Sequence, residues 1–209
     1  MSSAVDIFNI ALARVKAPPL ISENDSSRAG VACRAAYELQ RPALLRRHRW
    51  PFAIRRAVLT PSATLPAFGW EHQAALPADL ISVIAASPHT HYGRDTLVDD
   101  PNSYRVEGGW LLCDTPVMYL LYVADVKETG RFDSLFVQTL SWMVASDLAL
   151  ALASDRELAG WCTEQAEALL SAARRANSVE QPGGAVRTDS RLLEQRVSGE
   201  YLSRWPRGV

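Results

Sequence analysis

The chain has 209 residues, 48% hydrophobic and 22% charged, with a formal net charge of −1; it can bury a core and lacks the basic balance of a dedicated DNA or RNA binder. Three distant cysteines, Cys33, Cys113 and Cys162, fit a reducing compartment and read as buried small hydrophobes. The opening residues predict no signal peptide, and no segment is expected to reach the roughly 18 apolar residues of a membrane span.

The first element is a helix, with Val5, Phe8, Leu12 and Val15 on one face, ended by "KAPPL". "SENDSS" supplies a cap, Asp25 or Ser26, for a second helix. Ala29, Ala32, Cys33, Ala36, Tyr37 and Leu44 form its apolar face. Arg34, Glu38, Arg41, Arg46 and Arg47 form its polar face. Pro42 predicts a kink or break near Gln40.

After Pro51 the period changes from 3.6 to 2. "AIRRAVLT", "WEHQAAL" and "LISVIAA" read as strands, with Ile54 and Leu59 partly buried. "LPADLIS" reads as a turn in which Asp79 bonds local amides. Residues 87 to 103 read as an exposed loop. "YRVEGGWLLC" is a hairpin signal, because Gly108 and Gly109 accept positive φ. "VMYLLYVADV" reads as a central strand. Together these make one small, mostly antiparallel sheet.

The helical period returns after Asp133, an expected N-cap. Leu135, Phe136, Leu140, Met143, Val144, Leu148, Ala151 and Leu152 mark its apolar face. "SDRE", Ser154 to Glu157, matches a capping box for a last helix. That helix carries Leu158, Trp161, Cys162, Ala168, Leu169 and Ala172 and frays near Asn177. The segment after about residue 179 reads as an extension rather than core. The expected fold class is α+β. Residues 1–49 and 127–178 make a helical bundle, 50–126 an inserted antiparallel β domain, and 179–209 an extended C-terminal tail.

Nucleotide-binding, serine-hydrolase and zinc-protease signatures are absent, as is any CxxC. His89 and His91 in "HTHY" have the spacing to share a metal, but an exposed polar loop accounts for them more simply. Asp79, Asp99 and Asp100 have the residue types of a glycosidase carboxylate pair; loop caps are the plainer reading. Arg46, Arg47, His48, Arg49, Arg55 and Arg56 form a cluster that phosphate would suit, or solvated charge at helix ends and sheet edges. No cofactor, metal or catalytic residue is expected. The lack of such chemistry favours a structural or interaction protein.

"R..LL..H.W.FA..R..L" (Arg41, Leu44, Leu45, His48, Trp50, Phe52, Ala53, Arg56, Leu59) resembles the tail tubular protein A family of short-tailed bacteriophages, which are head-to-tail adaptors. "W....ALPADLISV" (Trp70, Leu76, Pro77, Asp79, Leu80) resembles that family's tryptophan and "LP.D" turn. "Y.VEGGWLLCD" (Tyr104, Val106, Glu107, Gly108, Gly109, Leu111) is similar to its hairpin. Tyr122, Phe132, Asp133, Phe136, Leu140, Ala145 and Leu148 match its strand, acidic loop and helix. The order and spacing hold from residue 5 to about 178. The chain departs in lacking proline before Trp50 and in carrying Trp110 in place of isoleucine.

The resemblance implies a virion protein, made in the host cytoplasm and built into the tail at the head–tail interface. A ring of twelve copies would surround the DNA path, with no sequence-specific DNA binding and no membrane. Its partners would be the portal protein, a tail nozzle protein and further copies of itself. Trp50, Phe52 and Trp70 would serve as a structural joint between bundle and sheet. The tail would dock on the portal through Leu192, Leu193, Tyr201 and Trp205, with Arg187, Arg191, Arg196 and Arg204 as charge partners. A tail-borne cell-wall hydrolase and a non-viral helical interaction module are the alternatives.

Overall fold

Ser3 starts the first helix. Its hydroxyl accepts from the Asp6 N–H at 3.2 Å, and the Asp6 carboxylate accepts from the Ser3 N–H at 2.7 Å. Two otherwise orphaned donors are thereby satisfied. The computed structural model describes residues 3–89, 97 and 99–180.

Helix α1, Ala4–Arg14, buries Ile7, Phe8, Ala11 and Leu12. It ends in a Schellman turn: Lys16 lies at φ 58°, the Lys16 N–H bonds Ala13, and the Ala17 N–H bonds Leu12. The Asn9 amide then ties down the connection, donating to and accepting from the backbone of Leu20.

Helix α2 spans Arg28–Arg47 without interruption, Pro42 included. Of the expected kink or break, a break does not occur; a proline loses only one intrahelical bond where neighbouring elements hold the helix in place. Its N-cap is Ser27, whose hydroxyl accepts from the Gly30 N–H at 3.1 Å. Asp25 instead caps Ser27, so the expected cap lay one or two residues early. Arg41, expected on the polar face, is 2% exposed.

Among the described residues six strands follow: β1 Ile54–Leu59, β2 His72–Ala75, β3 Leu80–Ser87, β4 Tyr104–Glu107, β5 Trp110–Cys113 and β6 Met118–Ala124. They form two three-stranded antiparallel sheets, ordered β1-β6-β3 and β2-β5-β4, rather than one. β6, with the most apolar sequence, is central in the first sheet, as its composition predicts. The β4–β5 hairpin turns at Gly108 and Gly109, φ 57° and 85°. Both central residues of such a turn need positive φ, which glycine adopts without steric cost.

Helix α3, Ser134–Leu148, is capped by Asp133, whose carboxylate accepts from the Leu135 N–H at 2.7 Å. It continues into one π-helical turn, Ala149–Ala153, and Ser154 breaks the run at φ 54°. The capping box expected at Ser154 and Glu157 does not form. Asp155 caps instead, accepting from the Leu158 N–H at 2.9 Å. Helix α4 then runs Arg156–Glu180, past the expected fraying point. It buries Ala159, Cys162, Ala166, Leu170 and Ala173, while Trp161 and Ala168, assigned to the apolar face, are exposed. Ala151 of the π turn is exposed too.

α3 packs against α1, α2 and α4. The 20-residue stretch Ser134–Ala153, with a mean hydropathy of 1.5 in an 18-residue window, is long and apolar enough to cross a membrane by length and composition. The expectation that no segment qualifies is therefore corrected. Half of that window is buried inside the fold, where α3 serves as the core helix. Core residues from helices and strands join in one apolar cluster. The class is α+β.

Candidate functional site at the helix–sheet joint

α2 ends at Arg47, which leaves its last carbonyls without helical partners. Two are met by side chains from beyond the helix. The Trp50 indole N–H donates to the Leu44 carbonyl at 3.2 Å, and the Arg174 guanidinium donates to the Arg47 carbonyl at 3.1 Å. Trp50 is fully buried. Its ring meets Phe136 of α3 edge-to-face with centroids 5.0 Å apart, and His48 at 4.9 Å. Phe52, half-buried, packs on Phe132 and Phe136 at 5.6 and 5.1 Å. The chain passes from helix to strand through a 3-10 turn, Pro51–Ala53. Two of the three proposed joint residues thus lie in one aromatic cluster. The third, Trp70, is half-buried just before β2, outside the core cluster.

Polar bonds cross the same joint. Arg41 of α2 donates to the Asp125 carboxylate and, at 3.1 Å, to the Val126 carbonyl. Desolvation, the largest single influence, lowers the Arg41 pKa, but the bond to Asp125 together with the charges of Asp125 and Glu38 outweighs it, and the pKa is raised. The Asp79 carboxylate accepts from Arg55 of β1 at 2.5 Å and from the Tyr122 hydroxyl of β6 at 3.1 Å. Its own carbonyl accepts from the Asp125 N–H. Asp79 therefore ties strands together through side chains, not through local amides as expected. Burial and the bond to Asp79 raise the Tyr122 hydroxyl pKa.

The basic cluster divides. Arg46, Arg47, His48 and Arg49 line an open cleft of about 630 Å³, joined there by Arg174 and Asn177 of α4. Arg55 instead pairs with Asp79. Arg47 grips Glu167 through both carboxylate oxygens, at 2.5 and 2.6 Å. The His48 Nε2 lies 2.5 Å from the Asn177 amide nitrogen. Burial, and then the Arg174 charge, lower the His48 pKa. That favours the neutral ring, whose Nε2 accepts from Asn177.

The remaining assignments scatter. Asp99 accepts from the Ala86 N–H and the Tyr104 hydroxyl, both at 2.9 Å, a loop-capping role. The Asp100 N–H bonds the Ala86 carbonyl. The His89 N–H bonds the Ser87 hydroxyl, and His91 lies outside the described residues. Among the described residues no three His, Cys, Asp or Glu side chains gather where a metal would sit. Arg187, Arg191, Leu192, Leu193, Arg196, Tyr201, Arg204 and Trp205 also lie outside the described residues.

Sequence reasoning missed Arg41 and Asp125. A signal existed: Arg41 falls four residues after Tyr37 and three before Leu44, in line with the apolar face. An arginine on that stripe calls for a buried partner. Arg14 was also missed. It lies 3.7 Å over the Trp142 ring and donates to the Ser141 hydroxyl at 2.7 Å, and burial pushes its pKa down to about 10.

No protein-family model matches the chain, and neither does any curated protein.

Proposed function

We propose that this chain is a structural virion protein, a head-to-tail adaptor of the tail tubular protein A type, rather than an enzyme. One observation supports the reading. The residues that carry the resemblance occupy the places where the fold changes direction. Trp50 fills the exit from α2. Pro77 and Asp79 form the turn into β3. Gly108 and Gly109 reverse the hairpin, and Asp133 starts α3. A ring subunit must repeat one geometry at every contact for the ring to close, and these positions set the angles between layers.

On this reading the helices form a bundle into which the β region is inserted. Twelve copies make a closed ring between portal and tail nozzle, and DNA passes through without sequence-specific binding. The segment after residue 180, with Leu192, Leu193, Tyr201 and Trp205, docks on the portal. Trp50, Phe52 and Trp70 hold the layers in register, and assembly places the protein in the virion tail after synthesis in the host cytoplasm.

The test is to mix the full chain with isolated portal rings of the phage and image the product by cryo-electron microscopy. A closed ring of twelve below the portal supports the reading. A chain that stays monomeric and unbound would overturn it. Loss of portal binding on deletion from residue 185, with a folded remainder, would assign docking to the tail.

A further inference from the structure

Among the described residues β3 is an outer strand of its sheet. An outer strand presents backbone donors and acceptors that can pair with another chain. Two of its outward positions are occupied. The Ile81 carbonyl accepts from Arg46 at 2.9 Å. The N–H and carbonyl of Ala86 bond Asp99 and Asp100. Between them, no hydrogen bond outside the ladder reaches Ser82, Val83 or Ile84 among the described residues. Val83 pairs with Tyr122, two residues along β6 from the Leu120 that faces Ala86. It therefore turns its N–H and carbonyl the same way as Ala86, away from β6.

Open clefts flank this window on both sides. The first, of about 630 Å³, has Ser82, Val83 and Ile84 in its wall. The second, of about 450 Å³, adds Leu80, Ile81 and Val106. Arg46 borders both. The strand residues are half-buried and mainly apolar, whereas the surroundings are basic: Arg47, Arg49 and Arg174 in the first cleft, Arg105 in the second. Among the described residues no carboxylate lines either cleft, although Arg47 is paired with Glu167 and Arg105 with Glu107. Arg46 and Arg174 each bond one backbone carbonyl through one nitrogen and keep further donors. Arg49 makes no hydrogen bond or ion pair among the described residues.

We propose that the β3 edge is a docking site for an extended, acidic segment of a partner protein, which adds as a fourth strand beside Ser82–Ile84 and sets its carboxylates against Arg46, Arg49 and Arg174. Backbone pairing supplies the geometry, and alternate side chains reach the half-buried apolar wall. Planar guanidinium forks match carboxylates bidentately, and Arg47 already holds both oxygens of Glu167 through one nitrogen. Charge decides the occupant. The chain's own residues 181–209 carry five arginines against three carboxylates, and a second copy's β3 edge brings the same arginines. Neither complements this rim. The width of a DNA duplex suits a broad surface better than a strand-wide window. The proposal does not depend on the adaptor reading.

The test uses the full chain and a fluorescein-labelled eight-residue peptide alternating Glu and Val. A Lys–Val peptide and a 20-base-pair DNA duplex serve as comparisons. Anisotropy measures binding, and amide hydrogen exchange reads Val83. The Glu–Val peptide should bind and slow exchange at Val83, and the Lys–Val peptide should not bind. Arg49→Glu, which disturbs no structural bond, should weaken binding roughly tenfold, since it replaces an attraction with a repulsion; Arg174→Glu should act likewise. Peptide binding that leaves Val83 exchange unchanged, or that is indifferent to Arg49→Glu, would overturn the proposal. So would preferential binding of the duplex, lost in Arg49→Glu, which would make the cleft a phosphate site. Protection of Val83 in the free chain would show the edge already occupied by the protein itself.

Discussion

Arg41 and Asp125 form a buried ion pair that joins the fourth turn of α2 to the residue following β6. The Arg41 side chain is 3% exposed and that of Asp125 23%. Removing Asp125 leaves the buried guanidinium with only the exposed Glu38 carboxylate, 3.5 Å away, as counter-charge; breaking a buried pair in this way costs about 3–5 kcal/mol. Asp125→Ala should therefore lower the urea midpoint sharply. Arg41→Met with Asp125→Leu, which removes both charges, should recover most of that loss. A double variant no more stable than the single one would show that the pair does not act through its charges.

Trp50 should be the costliest aromatic to lose. It is fully buried, and its indole satisfies a carbonyl at the end of α2. Trp50→Ala removes both packing and bond and should destabilise by about 3–5 kcal/mol. Trp50→Phe keeps an aromatic ring in the cluster but leaves the Leu44 carbonyl without this donor, a loss of about 1–3 kcal/mol. Equilibrium urea unfolding of the three proteins ranks them, and equal midpoints for Phe and wild type would remove the bond from the account.

Acid should weaken the fold through His48. Its folded pKa lies below the ordinary 6.5, because burial, then Arg174, disfavours the charged ring. The unfolded chain therefore takes up the proton first as pH falls. Stability associated with the neutral ring is complete above 6.5 and declines as pH drops from there through the lowered folded value. The Tm of wild type should fall more between pH 7.5 and 5.5 than that of His48→Gln. Parallel curves would count against the assignment.

Two backbone positions separate space from dihedral angle. A Cβ on Gly30 would run into the Asp25 carbonyl, so Gly30→Ala should destabilise by about 1–3 kcal/mol through overpacking. Lys16 holds φ at 58°, a region costing a non-glycine residue roughly 1 kcal/mol. Lys16→Gly should raise stability by up to about that amount. Thermal melts of both variants test the signs, which should be opposite.

The interactions that were legible in the sequence are short-range. Asp133 caps the helix that begins one residue later. Gly108 and Gly109 turn between strands they directly connect. "SDRE" marks the start of α4 correctly but misassigns the cap, because Asp155 and Ser154 are adjacent competitors and the preceding π turn sets Ser154 left-handed. Arg41 was misplaced for a different reason. Its partner lies 84 residues away, and helical periodicity reads a charge as solvent-facing unless something distant neutralises it. The division into two sheets also escaped the pattern, since alternation identifies strands but not their pairing.

Capping, turn dihedrals and hydrophobic period act within a few residues, so the chain's local pattern specifies which segments are helix and which are strand, where most of them stop, and that β6 is central. Tertiary packing alone buries Arg41 on Asp125, binds β1 and β6 together through Asp79, and gathers arginines from α2 and α4 around the outer edge of β3. Those relationships join groups far apart in the chain. Their free energy exists only when packing excludes water and brings the partners within bonding distance.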